Sequence, residues 1–385
     1  MPDFPGTIST KLPRVGTTIF TTMSKLATEH NAINLSQGFP DFDCPTELVS
    51  AVNKAMKAGN NQYAPMPGIM KLREMIAEKT EELYGMKYNP DTEITVTAGA
   101  TQAIYTAISA TIREGDEVII FEPAYDCYEP AIELNGGKTI YLQLKAPDYT
   151  INWNEVKKLV NHRTRMIIIN SPHNPTGVIL TEDDMKQLEK LTSKTDIIIL
   201  SDEVYEHIIF DGHTHESMAK YPNLANRSFI VSSFGKTFHT TGWKIGYCVA
   251  PKELMTEFRK VHQFLVFAAN TPMQFGIAEF LKNKSHYQAL SNFYLAKRDL
   301  FNSMVKGSRF SLVPSPGTYF QLLNYEKITN EKDADYATRL IKESGVAAIP
   351  ISVFYHKPVY DNMLRFCFAK KDETIEKAAE ILRKI

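Results

Sequence analysis

Two runs of this chain, Met166-Ile167-Ile168-Ile169 and Ile197-Ile198-Ile199-Leu200, are apolar at every position. A strand with one wet face alternates apolar and polar residues, so unbroken runs of this kind belong to strands covered on both faces. These two sit within β-prone segments 165–170 and 197–202, and further segments occupy 93–97, 118–122, 229–232 and 245–250. Helix-patterned stretches separate them. The alternation predicts an α/β fold whose mostly parallel sheet is sandwiched by helices. Ligands of open α/β sheets bind beyond the carboxyl ends of the strands. The residues that follow those ends here are 97–101, 122–125, 170–177, 202–205 and 232–236, and they are predicted to converge on one edge.

At 385 residues the chain can bury a large core, and 43% apolar with 23% charged residues fits an ordinary globular enzyme. A net charge of -1 gives no general pull toward nucleic acid or an anionic membrane, so any anion site must be local. No apolar run reaches the roughly 18 residues of a membrane span, and the opening MPDFPGTISTKLPRVG lacks a signal-peptide core. A cytoplasmic address is the resulting expectation. Cys44, Cys127, Cys248 and Cys367 are too scattered for a zinc or redox pair and are read as reduced packing residues. His213 and His215 lie in a polar segment without a third ligand and are read as a surface turn, so no metal site is expected. After residue 273, charged helical segments at 291–306 and 334–343 alternate with short strands such as 319–323. We therefore expect a large domain over 45–272, a small domain over 273–385, and an arm over 1–44 that joins the small domain through the extended segment 34–40.

Candidate functional residues cluster at the strand ends. Lys236, in Ser233-Phe234-Gly235-Lys236, follows a buried strand. Burial and a nearby cation such as Lys244 favour the neutral amine that attacks a carbonyl. Ser233 and Lys244 are both able to reach a phosphate, as are the free N–H groups where Gly99-Ala100-Thr101 opens a helix. Asp202 ends an apolar strand three residues before Tyr205 and is read either as a helix cap or as the partner of a ring nitrogen. Asn174, in Ser171-Pro172-His173-Asn174-Pro175, is good turn chemistry with a side chain free to donate. Tyr125 is read as a stacking ring or a core filler. Arg365, flanked by Leu364 and Phe366, is read as a carboxylate partner or a member of an internal salt bridge. Glycine-rich nucleotide motifs and H-E-x-x-H are absent from the sequence, which removes nicotinamide, P-loop and zinc-protease readings.

Taken in order, Asn34 to Pro45, Asn61 to Gly68, Gly99-Ala100-Thr101, Tyr125, Asn174-Pro175-Thr176-Gly177, Asp202 to Tyr205, Ser233 to Lys236, Lys244 and Arg365 resemble the class I/II aminotransferases that use pyridoxal phosphate (PLP). The resemblance covers nearly the whole chain. It implies PLP fold type I: a large domain on a seven-stranded-type, mostly parallel sheet, plus a smaller α+β domain from both chain ends. It makes Lys236 the catalytic lysine, joined covalently to PLP as an internal aldimine. Asp202 becomes the ring-nitrogen partner, Asn174 and Tyr205 the donors to the ring oxygen, and Tyr125 a cofactor contact. Gly99, Ala100, Thr101, Ser233 and Lys244 hold the phosphate, with Tyr63 arriving from a second subunit of a homodimer. Arg365, Asn174 and the Gly38 backbone would hold the substrate α-carboxylate.

Within that family, Lys244 replaces the arginine of the aspartate aminotransferase branch. The segments GKTFHTTGWK and Gln37-Gly38-Phe39-Pro40-Asp41-Phe42 are similar to the kynurenine–glutamine and methionine branch. Phe20, and Phe267 from the partner subunit, match positions that line its side-chain pocket. Ala268 stands where kynurenine-type members often carry histidine, which leaves room for methionine. The implied activity is transfer of the amino group of methionine, an aromatic amino acid or glutamine to a 2-keto acid by a ping-pong mechanism. A kynurenine aminotransferase and a cysteine-S-conjugate β-lyase are alternatives on the same scaffold. A non-catalytic PLP-binding regulator is disfavoured, because no DNA-binding module precedes the enzyme-like region.

Overall fold

The computed structural model describes residues 4–385. A short strand, β1 (Ile33–Asn34), follows the helix Ile19–Glu29. Seven strands come next: β2 (Ile94–Thr97), β3 (Glu117–Glu122), β4 (Lys138–Gln143), β5 (Thr164–Asn170), β6 (Ile198–Asp202), β7 (Ser228–Ser233) and β8 (Gly246–Val249). The chain closes with β9 (Phe320–Asn324), β10 (Val346–Ala347), β11 (Ile349–Pro350), β12 (Met363–Cys367) and the helix Asp372–Lys384.

Strands β2 to β8 form one sheet in the order β2-β8-β7-β6-β5-β3-β4. Only β8 runs against its neighbours; the pairs from β7 through to β4 are parallel. The continuous apolar runs occupy β5 and β6 as expected. Alternate residues enter two cores, Ile167, Ile169 and Ile199 on one face and Met166, Ile168 and Leu200 on the other, all at most 2% exposed. The sheet has the seven strands that the resemblance implies, one more than the six segments recognised from residue pattern. The seventh, β4, is an edge strand whose Lys138 and Gln143 ends are exposed, so its apolar signal is weak.

The β9-β12-β11 sheet is antiparallel and carries Arg365 in its central strand. The segment after the first helix is extended but pairs over two residues only, with Ile33 opposite Val346 and Asn34 opposite Ala347. Leu35 continues the attachment: its N–H donates to the Ala347 carbonyl, and its own carbonyl accepts from Cys367. Asn34-Leu35-Ser36 is thus fixed to the later part of the chain, which sets where Gly38 points. The predicted helix at 334–343 is an α-helix only over Asp333–Arg339 and then widens into a π-helical turn, Leu340–Ser344.

The surface-turn reading of His213 and His215 holds for one of them. His213 is exposed, but His215 is buried and lies 2.8 Å from Glu203 Oε2. A buried carboxylate just after β6 needs a partner, and the second histidine supplies it. The four cysteines are free, with Cys248 and Cys367 buried and the other two half-buried.

Candidate active site

Strand β7 stops at Ser233, and one helical turn, Phe234–Thr237, carries Lys236 over the carboxyl edge of the sheet. Its Nζ donates to the Gly38 carbonyl at 3.1 Å and to Tyr319 Oη at 2.9 Å. Burial lowers the Lys236 ammonium to about 8, with the Arg365 and Lys244 charges acting in the same direction. The resemblance gave the Gly38 backbone to the substrate α-carboxylate; here its carbonyl instead accepts from Lys236 and from Tyr319 Oη.

Asp202 ends β6, with Val231 of β7 and Asn170 of β5 as its register partners. Tyr128 Oη donates to its Oδ2 at 2.6 Å and the Val204 N–H to its Oδ1 at 3.4 Å. Burial raises this carboxyl to about 6, although both donors and the Lys236 charge favour the ionised form. No helix directly follows β6, so the helix-cap reading is not met: the carboxylate accepts within a turn, and it lines the cavity shared with Lys236. Tyr205 is buried at the same wall, its ring edge-on to Tyr319.

The loop after β5 is locked by Asn170, whose side chain accepts from the Asn174 N–H at 2.8 Å and donates to the Asp202 carbonyl at 2.9 Å. This aims the Asn174 side chain at Arg365, whose Nη1 donates to Asn174 Oδ1 at 2.6 Å. Arg365 Nη2 reaches the Ser36 carbonyl at 3.2 Å, and the guanidinium lies 3.9 Å above the Phe320 ring. Among the described residues no carboxylate pairs with Arg365, so the internal salt bridge is not formed. The side chain is 1% exposed, and its Nε has no hydrogen-bond partner. A buried guanidinium left short of acceptors is suited to an arriving carboxylate.

The other end of the cavity collects groups that suit an anion. Gly99, at φ 80°, turns the chain into the helix Ala100–Thr111, whose first N–H groups face outward. A Cβ on Gly99 would lie 3.3 Å from Lys244 Nζ, so glycine lets the ammonium approach this turn. A Cβ on Gly246 would lie 2.7 Å from the Ser232 carbonyl and 3.0 Å from the Ala100 N, which explains the close passage of β8 behind the same turn. Ser233, Thr101 and Tyr125 complete the wall of a cavity of about 130 Å³. With donors and a cation at one end and the Asp202 carboxylate at another, it fits a flat, protonatable ring that carries a phosphate.

Phe20 lies outside this cavity, 5.4 Å from the Arg365 guanidinium and 6.0 Å from the Phe354 ring; Arg365 reaches the cavity through Asn174, which lines it. Tyr63 and Phe267 are not in the cavity of their own chain. They meet edge-to-face at 5.2 Å on the surface, 83% and 44% exposed, and Phe264, three residues before Phe267, is 88% exposed.

Several participants escaped the sequence reading. Tyr319 and Tyr128 each follow a glycine- or proline-rich turn without a motif of their own, although Tyr128 is one helical turn after Tyr125. Glu206 was also missed. It accepts from Lys79, Tyr84, Ser232 and Tyr247 at 2.6 to 3.0 Å and so ties β7 and β8 together behind the cavity. Burial opposes its charge, but Lys79 and these donors hold the carboxyl well below the usual range.

The chain's relatives carry the same architecture. Residues 30–382 match the family described as aminotransferase class I and II. Methionine aminotransferase of Escherichia coli K12 is 49% identical over 376 residues, 97% of each chain, and human kynurenine–oxoglutarate transaminase 1 is 33% identical over 94% of each. The solved structure of E. coli YbdL, reported with a methionine aminotransferase function, superposes with a TM-score of 0.97 at 48% identity, covering 99% of this chain and 100% of the other. With a fold, a strand-end lysine and a buried arginine arranged in this way, the chain belongs to the class I and II aminotransferases.

Proposed function

We propose that this aminotransferase binds PLP through Lys236 and moves the amino group of methionine, and of aromatic amino acids and glutamine, to a 2-keto acid. Members of the family generally depend on PLP. The observation that carries the assignment is Lys236 Nζ, buried between the Gly38 carbonyl and Tyr319 Oη in the cavity that Asp202 also lines. When bound, PLP supplies an electron sink for the carbanion formed at the substrate Cα.

The chain's own residues do the rest. Arg365 receives the α-carboxylate, and Asn174, already held by Asn170, fixes the guanidinium that receives it. Lys236, released from its anchoring role, takes the Cα proton with an amine whose neutral form burial favours. Asp202 would hold the cofactor's ring nitrogen, whose protonation makes the ring an electron sink, and Asn174 and Tyr205 would hold its ring oxygen. Gly99, Ala100, Thr101, Ser233 and Lys244 would hold the phosphate, with Tyr63 of a second copy joining them. Release of the first keto acid before the second binds gives ping-pong kinetics. The aromatic surroundings of Arg365, Phe20 and Phe354 favour an apolar side chain, and the E. coli relative named for methionine supports that donor. The exposed Tyr63, Phe264 and Phe267 support a homodimer with composite sites.

The test is the absorption spectrum of the purified protein with PLP, before and after methionine, in wild type and Lys236→Ala. We expect the cofactor band to shift to that of pyridoxamine phosphate in wild type only. A wild type that takes up no PLP, or a variant that converts as fast, overturns the assignment.

A further inference from the structure

We propose that Asp126 is a specificity-determining residue that lowers affinity for substrates ending in a second carboxylate, and so favours the amide over the acid among side chains of one length. The inference rests on the reading of Arg365 as the α-carboxylate site.

A second, outer cavity of about 430 Å³ adjoins the one that holds Lys236, and Tyr125 lines both. Its inner end is aromatic: Phe20 and Phe354 stand against the Arg365 guanidinium at 5.4 and 5.3 Å. A substrate whose α-carboxylate meets Arg365 therefore extends its side chain past these rings. Asp126, directly after Tyr125, lies on the same wall.

The charges around that wall are unbalanced. Glu122, Glu129 and Glu133 line the same cavity, and Arg14 is the arginine that faces them. Arg14 is already engaged, donating to Glu129 at 2.7 Å and to Glu133. Glu122 accepts the His356 N–H, and His356 Nδ1 lies 3.5 Å from Glu129. Among the described residues no cation comes within ion-pair distance of Asp126. Partial desolvation by the surrounding protein raises the Asp126 carboxyl from its ordinary value, and Arg365, acting from further away, opposes that rise. The buried, unpartnered Arg365 Nε independently marks where a ligand carboxylate docks. One carboxylate is thus attracted to Arg365 while a second, carried past the rings into the outer cavity, meets a negative charge that no cation pairs. An ω-amide of the same shape meets an acceptor for its N–H groups.

Glutarate and glutaramate test this, since they differ only in the far-end group and lack the amine needed for turnover. Their binding to the PLP-loaded enzyme is measured by titration calorimetry in wild type, Asp126→Asn and Arg365→Ala. Asp126 is exposed, and like charges a side chain apart at such a site are worth up to about tenfold in affinity. We expect glutaramate to bind wild type about tenfold more tightly than glutarate, with that ratio falling to within about threefold in Asp126→Asn. The glutamine-to-glutamate ratio of kcat/KM should fall in parallel. An unchanged binding ratio in Asp126→Asn overturns the inference. If glutaramate binds Arg365→Ala as well as wild type, the α-carboxylate reading fails, and the inference falls with it for that separate reason.

Discussion

Asp202 is costly to the fold that carries it. Its carboxyl titrates near 6 in the folded protein and at its ordinary value of 3.8 when unfolded. Between those values the folded state keeps a proton that the unfolded chain has lost, so stability declines as pH rises from about 4 to about 6 and stays reduced above that. Two pKa units correspond to about 3 kcal/mol. In the protein freed of PLP, Asp202→Asn should therefore match wild type near pH 4 and exceed it by up to about 3 kcal/mol at pH 7, read from urea unfolding at both pH values. The same substitution should slow methionine turnover by about 100-fold or more, because a preorganised charge is lost. The sequence made Asp202 legible because an acid ending an apolar strand is conspicuous. Tyr128, its donor, was not legible, since a tyrosine at the start of a helix looks the same whether it fills a core or serves a carboxylate. Tyr319 and Ser36 were hidden for a related reason: they reach Lys236 and Arg365 from 83 and 329 residues away, and separations of that size leave no local pattern.

Among the elements, buried strands were the most legible. β5 and β6 announce themselves by composition, and each strand end delivered the residue expected of it. Elements with mixed surroundings were harder: β4 lies at an edge, and β1 pairs over two residues through contacts that only the folded chain provides. Helix pairing was also invisible, because it depends on which small residue faces which neighbour. The helices Thr46–Lys57 and Thr271–Phe280 approach at Gly276, where a Cβ would fall 2.3 Å from Val52 Cγ2 and 3.0 Å from the Val52 N. The backbone atom cannot move aside as a rotamer can. Gly276→Ala should destabilise the protein by about 1 to 3 kcal/mol, with a lower urea midpoint and unchanged KM for methionine as the check.

For the whole molecule, the exposed rings at Tyr63, Phe264 and Phe267 make the strongest demand for a partner. The purified protein should elute and scatter light as a dimer, and Phe264→Glu should shift it toward the monomer with weaker retention of PLP. A variant that stays dimeric with full cofactor would place the interface elsewhere.

The attachment of Asn34 and Leu35 to Ala347 and Cys367 also has a consequence in time. Synthesis runs from the amino end, so the segment that carries Gly38 leaves the ribosome well before its partners and waits for residues made more than 300 positions later. The seven-stranded sheet, complete by Val249, is able to assemble without it. A nascent chain thus builds Lys236, Asp202 and the turn at Gly99 before it owns Arg365, and on the proposed roles a chain stopped short of β12 would keep a place for the cofactor with nothing to feed it.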